Sequence, residues 1–417
     1  MIRAARSAET SGGGPGCPAC GGGDASRFYE VDGVPAHSVL LMETREAARG
    51  YPRGRVELRH CEGCGFVFNA AFDPALSEYS GRYEETQGFS PTFRGFHRRL
   101  ARDLVDRWDL RGKHVLEIGC GKGEFLALLC ETGGNTGVGF DPAFVPARNP
   151  VPDHLDVRFR RETYPPGRQG AREERPPDFV CCKMTLEHIP DVRRFLVDVR
   201  RSLVGADDPV VFFQVPEAGR IFRETAFWDV YYEHCSYFTR GSLVRLFDRC
   251  GFEVVDAWTD YGGQYLMTAA VPADAGGTAG PGPSRARGLQ PRERPGDTVA
   301  PDVRRFAEAA QSAAAGWRDR IRAEREAGGS VCLWGAGSKA VSFLSAVGED
   351  LVSTAVDINP HKQGTYLPGS GVEIVAPGEL RRNPPTLVVV MNPVYLDEVA
   401  GDLREMGVSA RVAHPGG

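Results

Sequence analysis

No apolar run in the 417 residues approaches the ~18 needed to span a membrane, and the opening stretch MIRAARSAETSGGG lacks the apolar segment of a secretory signal. A soluble protein of the cytoplasm is expected. Positive charge is not in excess: 50 Lys and Arg face 55 Asp and Glu, giving a net charge of −5 and a pI near 6.0. The basic field that nucleic-acid binders use to displace counterions is therefore missing. The 51 glycines and 30 prolines follow no Gly-X-Y period, which excludes a collagen-like fibre. Neither nucleic acid, membrane nor an obligate protein partner is expected, and a small-molecule substrate is. What is present, 41% hydrophobic and 25% charged residues, suits a globular chain of about two to three domains. Eleven cysteines without an export signal read as reduced thiols, some of them metal ligands.

Composition divides the chain. Residues 1–16 are small and polar and are expected to be a disordered tail. Residues 17–92 hold two Cys pairs and alternating stretches such as Arg55-Val56-Glu57-Leu58-Arg59, a small domain with little core of its own. From 93 to 271, helical and strand patterns alternate: helix Phe96 to Trp108, strand His114 to Ile118, helix Glu124 to Thr132, strand Thr136 to Phe140, strand Phe179 to Met184, helix Val192 to Leu203 and strand Val210 to Val215. Such alternation predicts a doubly wound, parallel α/β sheet. Residues 272–300 are almost without aliphatics and read as a linker or long loop. Residues 301–417 repeat the alternation, with strand Val331 to Trp334, helix Lys339 to Val347, strand Thr354 to Asp357 and strand Thr386 to Met391.

Cys17-Pro-Ala-Cys20-Gly and Cys61-Glu-Gly-Cys64-Gly are two copies of one turn. Each C-x-x-C spacing lets two thiolates face one point, and four complete a tetrahedral shell that suits a structural Zn²⁺ with no open position. Two unrelated surface turns, or a redox pair, remain the alternatives.

Val115-Leu116-Glu117-Ile118-Gly119-Cys120-Gly121-Lys122-Gly123-Glu124 is an apolar strand that ends in three glycines and enters a helix. An acid at Glu124 disfavours a pyrophosphate there and suits a cofactor without phosphates. Asp141, ending the next strand, is placed to accept both ribose hydroxyls. The run E-x-G-C-G-x-G with its strand-end Asp resembles motif I and its partner in the class I S-adenosylmethionine (SAM) methyltransferases. Leu186-Glu187-His188-Ile189 resembles the LEHI segment that passes the cofactor in that family. The resemblance implies cofactor contacts from Glu117, Gly119, Gly121, Gly123, Asp141, Glu187 and His188. A generic α/β turn without cofactor is the alternative.

The segment Phe227-Trp228-Asp229-Val230-Tyr231-Tyr232-Glu233-His234-Cys235-Ser236-Tyr237-Phe238 gathers tyrosines, acids and a histidine beyond a strand end. His234 is either a base near neutral pH or a buried histidine capped by Glu233. Together with the four cysteines, the SAM turn and a Rossmann-like C-terminal part, Tyr-x-Glu-His-x-Ser-Tyr-Phe resembles the three-domain nucleotide-sugar C-methyltransferases of deoxysugar biosynthesis. That likeness implies His234 as the base that removes a proton beside a 4-keto group, with Tyr231 and Glu233 next to it. Two stretches depart from the family's usual pattern, Val34-Pro35-Ala36-His37-Ser38-Val39 and Tyr261-Gly262-Gly263-Gln264-Tyr265. Tyr79-Ser80-Gly81-Arg82-Tyr83 reads as a substrate-side lid carrying Tyr79 and Tyr83, or as surface aromatics.

Val331-Cys332-Leu333-Trp334-Gly335-Ala336-Gly337-Ser338-Lys339-Ala340, with Asp357 about twenty residues on, has the form of a dinucleotide fingerprint. The resemblance instead implies contacts to the nucleotide part of the substrate, with Lys339 and Lys362 suited to a diphosphate and Asn359 beside them. The expectation is a SAM-dependent C-methyltransferase with a structural zinc. An O- or N-methyltransferase, an NAD-dependent oxidoreductase using Gly335 to Asp357, and a noncatalytic nucleotide-sugar binder are the other readings.

Overall fold

The computed structural model describes residues 2–3, 16–77, 80–165, 175–273 and 299–417. The apolar runs of the middle region form one seven-stranded sheet in the order Phe252–Asp260, Tyr265–Pro272, Val210–Pro216, Phe179–Lys183, His114–Ile118, Thr136–Phe140, Val157–Arg160. The last five are mutually parallel, as βαβ crossovers require, and the first two add an antiparallel hairpin at one edge. The hairpin is turned at Tyr261, Gly262 and Gly263, all with φ between 55° and 76°. Alternation from residue 331 onward yields a second parallel sheet of five strands, ordered Glu373–Val375, Thr354–Val356, Val331–Trp334, Leu387–Val390, Arg411–Ala413. The doubly wound class expected from the sequence is the class observed.

Helix Pro91–Trp108 begins five residues before the apolar pattern does. Ser90 accepts the amide of Phe93 at 3.2 Å, and Pro91 occupies the first helical position, where its missing N–H costs nothing.

The N-terminal region is an antiparallel sheet ordered Ile2–Arg3, Ala25–Pro35, Arg53–Cys61, Val67–Asn69, Ser236–Tyr237. Its last strand comes from the middle region: Ser236 pairs with Phe68 and Tyr237 with Val67. Within the tail expected to be disordered, Ile2 and Arg3 pair with Val31 and Glu30, because the edge strand offers unpaired backbone groups. Residues 4–15 and nearly all of the expected linker lie outside the described residues. No described helix is long and apolar enough to cross a membrane.

The small N-terminal sheet borrows its core. Phe28 and Tyr29 pack in one cluster with Phe222, Trp228, Phe306 and Phe343, so three regions of the chain share a single apolar interior. Phe306, fully buried on helix Ala300–Glu326, meets Phe28, Tyr29 and Phe222 edge-on at centroid distances of 6.4, 5.0 and 5.5 Å. Phe306→Ala is expected to lower the unfolding free energy by about 3–5 kcal/mol, measured by chemical denaturation.

Candidate active site

Four sulfurs converge at the knuckle end of the N-terminal sheet. Cys17 Sγ lies 3.6 Å from Cys64 Sγ and Cys20 Sγ 3.7 Å from Cys61 Sγ, with all four within 4.8 Å of one another. Four thiolates about 2.3 Å from a tetrahedral zinc stand about 3.8 Å apart, so the donor set fits that ion. The knuckles pack against Leu246 and Phe247, and Arg245 Nε donates to Cys64 O at 3.0 Å.

The first glycine turn closes on itself. Gly121 N and Ala143 N donate to the two oxygens of Asp141 at 2.9 and 2.7 Å, which fixes the carboxylate at the strand end. Gly119 and Gly121 have φ of +67° and +53°. A methyl on Gly119 would run into Thr185, and one on Gly121 would stand 2.7 Å from Glu85 Oε1. Buried Glu117 has an oxygen without a hydrogen-bond partner, and burial pushes its pKa up to about 8 against the pull of Lys183. Glu85, Glu117, Glu124 and Asp141 line one wall, which suits a cofactor carrying ammonium and sulfonium charge. Beside them the Lys183 ammonium donates to His97 Nε2 at 2.9 Å and lies 3.7 Å from the centre of the Phe125 ring.

The opposite wall is the tyrosine, glutamate and histidine segment. His234 is buried, 4.3 Å from the Tyr231 ring and 4.8 Å from the His188 ring, centroid to centroid. Burial first, then His188, push its pKa well below 6.5, so its imidazole is neutral at neutral pH. Glu233 does not bond His234. Its carboxylate accepts from Ser38 N at 2.8 Å and from Ser38 Oγ, with His37 Nδ1 at 2.7 Å. Burial would raise its pKa, but the His37 ring and these hydrogen bonds bring it down to about 2. Tyr231 donates its hydroxyl to Asp229 Oδ1 at 3.3 Å, and Asp229 also binds Arg220 and Lys339. Burial opposes the charge on Asp229, yet these two cations hold its pKa down to about 2.

The second glycine turn meets the same space from the other side. Asp357 accepts Ala336 N at 3.0 Å and Asn359 N at 2.9 Å, and Lys362 Nζ lies 3.2 Å from Ala336 O and 3.4 Å from Asp357. The helix start expected to front a pyrophosphate is engaged by protein: the Ser338 hydroxyl meets Ser38 Oγ at 2.7 Å, and Lys339 reaches Asp229. An NAD pyrophosphate there would compete with a carboxylate already in place.

One cavity of about 660 Å³ joins all three walls. Of the residues expected from the sequence, it is lined by Glu117, Gly119, Gly121, Asp141, His188, Tyr83, Tyr231, Glu233, His234, Lys339, Asn359 and Lys362. Glu187 does not line it. The tight turn Leu186–His188 points successive side chains about 120° apart, so with His188 on the cavity Glu187 is turned inward, fully buried, its pKa pushed up to about 8. Gly123 does not line it either; its φ of +82° starts the helix, and a methyl there would strike Phe159. Tyr79 lies outside the described residues.

Sequence reasoning missed Arg220 and Asp229, which line the cavity, and Glu84 and His37, which hold residues that line it. Asp229 stands inside the segment already singled out and was legible there as its second acid beside Glu233. Glu84 gives no local signal: it accepts from Lys122 Nζ at 2.5 Å and Asn359 Nδ2 at 2.9 Å, partners 38 and 275 residues away.

Residues 93–257 match a family described as a methyltransferase domain, and residues 285–410 one described as a C-methyltransferase C-terminal domain. Over 397 residues, 93% of this chain and 92% of the other, the sequence is 29% identical to C-methyltransferase NovU of Streptomyces niveus. Among solved structures it is similar to the 1,6-didemethyltoxoflavin-N1-methyltransferase of Burkholderia thailandensis with bound S-adenosylhomocysteine: 22% identity, 43% of this chain and 79% of that one, TM-score 0.33. Magnesium protoporphyrin IX methyltransferase of Synechocystis, also with S-adenosylhomocysteine, gives 14% identity over 44% and 84%, TM-score 0.33. Asp141→Ala is expected to weaken S-adenosylhomocysteine binding about 10- to 100-fold by calorimetry, the loss of a charged hydrogen-bond acceptor, and Asp357→Ala to leave that affinity within about twofold.

Proposed function

The chain belongs to the SAM-dependent C-methyltransferase family, and on that premise we propose that it methylates a carbon beside the ketone of a nucleotide-linked deoxysugar, a step in natural-product sugar biosynthesis. The observation that carries this reading is the single cavity in which an acid-lined glycine turn, a neutral histidine and a second glycine turn face one another. Bound SAM supplies an electrophilic methyl group on a sulfonium. The residues suited to hold it are Glu117, Gly119, Gly121 and Asp141, on the evidence of the unpartnered Glu117 oxygen and the cradle that a methyl would fill.

His234 is the base. A base that takes a proton from carbon beside a ketone must itself be unprotonated, and burial keeps this imidazole in that state. Glu233, fixed by His37 and Ser38, stays anionic and favours the imidazolium once the proton arrives. Tyr231 flanks the ring. Burial raises its own pKa well above 10, so it remains a neutral hydroxyl. Asn359 and Lys362, beside backbone made accessible by Gly335 and Gly337, are the residues for the nucleotide part, and Tyr83 covers the acceptor.

Cys17, Cys20, Cys61 and Cys64 hold a structural zinc. Its effect on chemistry runs through one strand: Val67–Asn69, three residues past the second knuckle, pairs with Ser236–Tyr237, and Asn69 N donates to Cys235 O at 2.9 Å. The metal thereby braces the residue next to His234. We assign residues 17–92 to this zinc unit, 93–271 to the methyltransferase core and 301–417 to the nucleotide unit.

The test is solvent exchange. With S-adenosylhomocysteine present, the wild type is expected to exchange the proton beside the ketone of a 4-keto-deoxysugar nucleotide, and His234→Asn to lose this by at least about 100-fold. The sign for pH follows from the lowered pKa: the exchange rate holds as pH falls through 6.5 and drops only at more acid values, where His234 protonates. A rate that titrates near 6.5 would contradict this assignment. Elemental analysis is expected to find one zinc per chain, and Cys61→Ser to lose it with a fall in Tm of about 5 °C or more.

A further inference from the structure

Proton removal beside a ketone places negative charge on the ketone oxygen, and that charge needs a donor fixed in advance. The two groups that flank His234 in sequence do not provide one. Glu233 is an anion, and the Tyr231 hydroxyl is committed to Asp229.

A cation does reach this spot, and it comes from the C-terminal sheet. Lys339 is the second residue of helix Ser338–Val347, and its ammonium binds Asp229 Oδ1, the same oxygen that accepts from Tyr231. The helix is fastened to the cluster: Ser342 Oγ donates to Val230 O at 2.6 Å, and Ser338 Oγ is hydrogen-bonded to Ser38 Oγ. An ammonium carries three N–H groups, and Asp229 is the one hydrogen-bond acceptor that meets it among the described residues. Asp229 is also held from its other oxygen by Arg220, which binds Glu224 with its second arm at 2.9 Å, so Asp229 is fixed from both sides while the Lys339 ammonium keeps N–H groups to spare. Both Lys339 and Arg220 line that wall, together with Tyr231 and His234.

We propose that Lys339 is a catalytic residue that donates a hydrogen bond to the ketone oxygen of the acceptor while His234 removes the neighbouring proton, and that Asp229 is the positioning residue that aims it. The C–H bond breaks and its proton passes to the His234 imidazole. The freed pair becomes a C=C bond, and the carbonyl π pair moves onto oxygen, where the ammonium stabilises it without giving up a proton. This assignment replaces a diphosphate role for Lys339 and leaves Lys362 with the phosphates. It rests on the reading of His234 as base toward a keto substrate.

The experiment uses the full-length, zinc-loaded protein with S-adenosylhomocysteine and thymidine diphosphate 4-keto-6-deoxyglucose as probe. Deuterium exchange beside the ketone is followed against probe concentration. Lys339→Met is expected to lower the saturating exchange rate about 100- to 1,000-fold and to leave the half-saturating concentration within about threefold. Lys339→Arg, which keeps charge and donors, is expected to recover at least tenfold of that loss. Unaltered S-adenosylhomocysteine affinity in both variants establishes that each is folded. A half-saturating concentration raised tenfold or more with an unchanged saturating rate would make Lys339 a phosphate ligand and overturn the proposal. So would a rate unaffected by Lys339→Met, or an arginine variant as slow as the methionine one. Absence of exchange in the wild type would instead remove the keto-sugar reading itself, and the Lys339 assignment with it.

Discussion

A carboxylate taken out of water must find partners, and this requirement organises the molecule. Glu84, Asp229 and Glu233 are each almost fully buried, and each has at least one partner in another region of the chain. Glu84 joins Lys122 of the first glycine turn to Asn359 of the second. Asp229 joins Arg220 and Tyr231 of the core to Lys339 of the C-terminal sheet, and Glu233 joins the core to His37 and Ser38. Separating any two of the three sheets would take a hydrogen-bond partner from at least one of these buried carboxylates. The cavity therefore has walls from all three, held at fixed distances by ion pairs as well as by apolar packing.

The same economy appears in the backbone. The N-terminal sheet is completed by two residues of the core, Ser236 and Tyr237, which directly follow the His234-Cys235 pair. The cysteine knuckle that ends at Cys64, 170 residues before His234 in sequence, thus bears on the orientation of the histidine. Register is the reason: once Ser236 is opposite Phe68, the side chains before it have no freedom to turn to the other face.

The two glycine turns illustrate how similar local geometry serves different surroundings. In each, a turn amide donates to the strand-end aspartate, Gly121 to Asp141 at 2.9 Å and Ala336 to Asp357 at 3.0 Å. The first opens on a wall of acids. The second leads into a helix whose first residues, Ser338 and Lys339, are turned toward the core. The turn alone does not distinguish a dinucleotide site from this arrangement, because the difference lies in what packs against the helix start.

Sequence determined what depends on neighbours along the chain. The parallel strands, the glycine turns with their strand-end aspartates and the two C-x-x-C knuckles all follow from spacings of a few residues, and the structure reproduces them. Segment 227–238 was legible as chemistry-bearing for the same reason. Tertiary structure decided what depends on partners far apart. Glu233 read as a catalytic neighbour of His234, or else as its cap, and its hydrogen bonds go to Ser38, 195 residues away; Glu187 and Gly123 read as cofactor contacts and face elsewhere; Lys339 read as a phosphate ligand and reaches Asp229, 110 residues back. No spacing rule reports such pairings. They form because a buried charge takes whichever partner the packing of three sheets brings within reach, and that packing is a property of the whole chain.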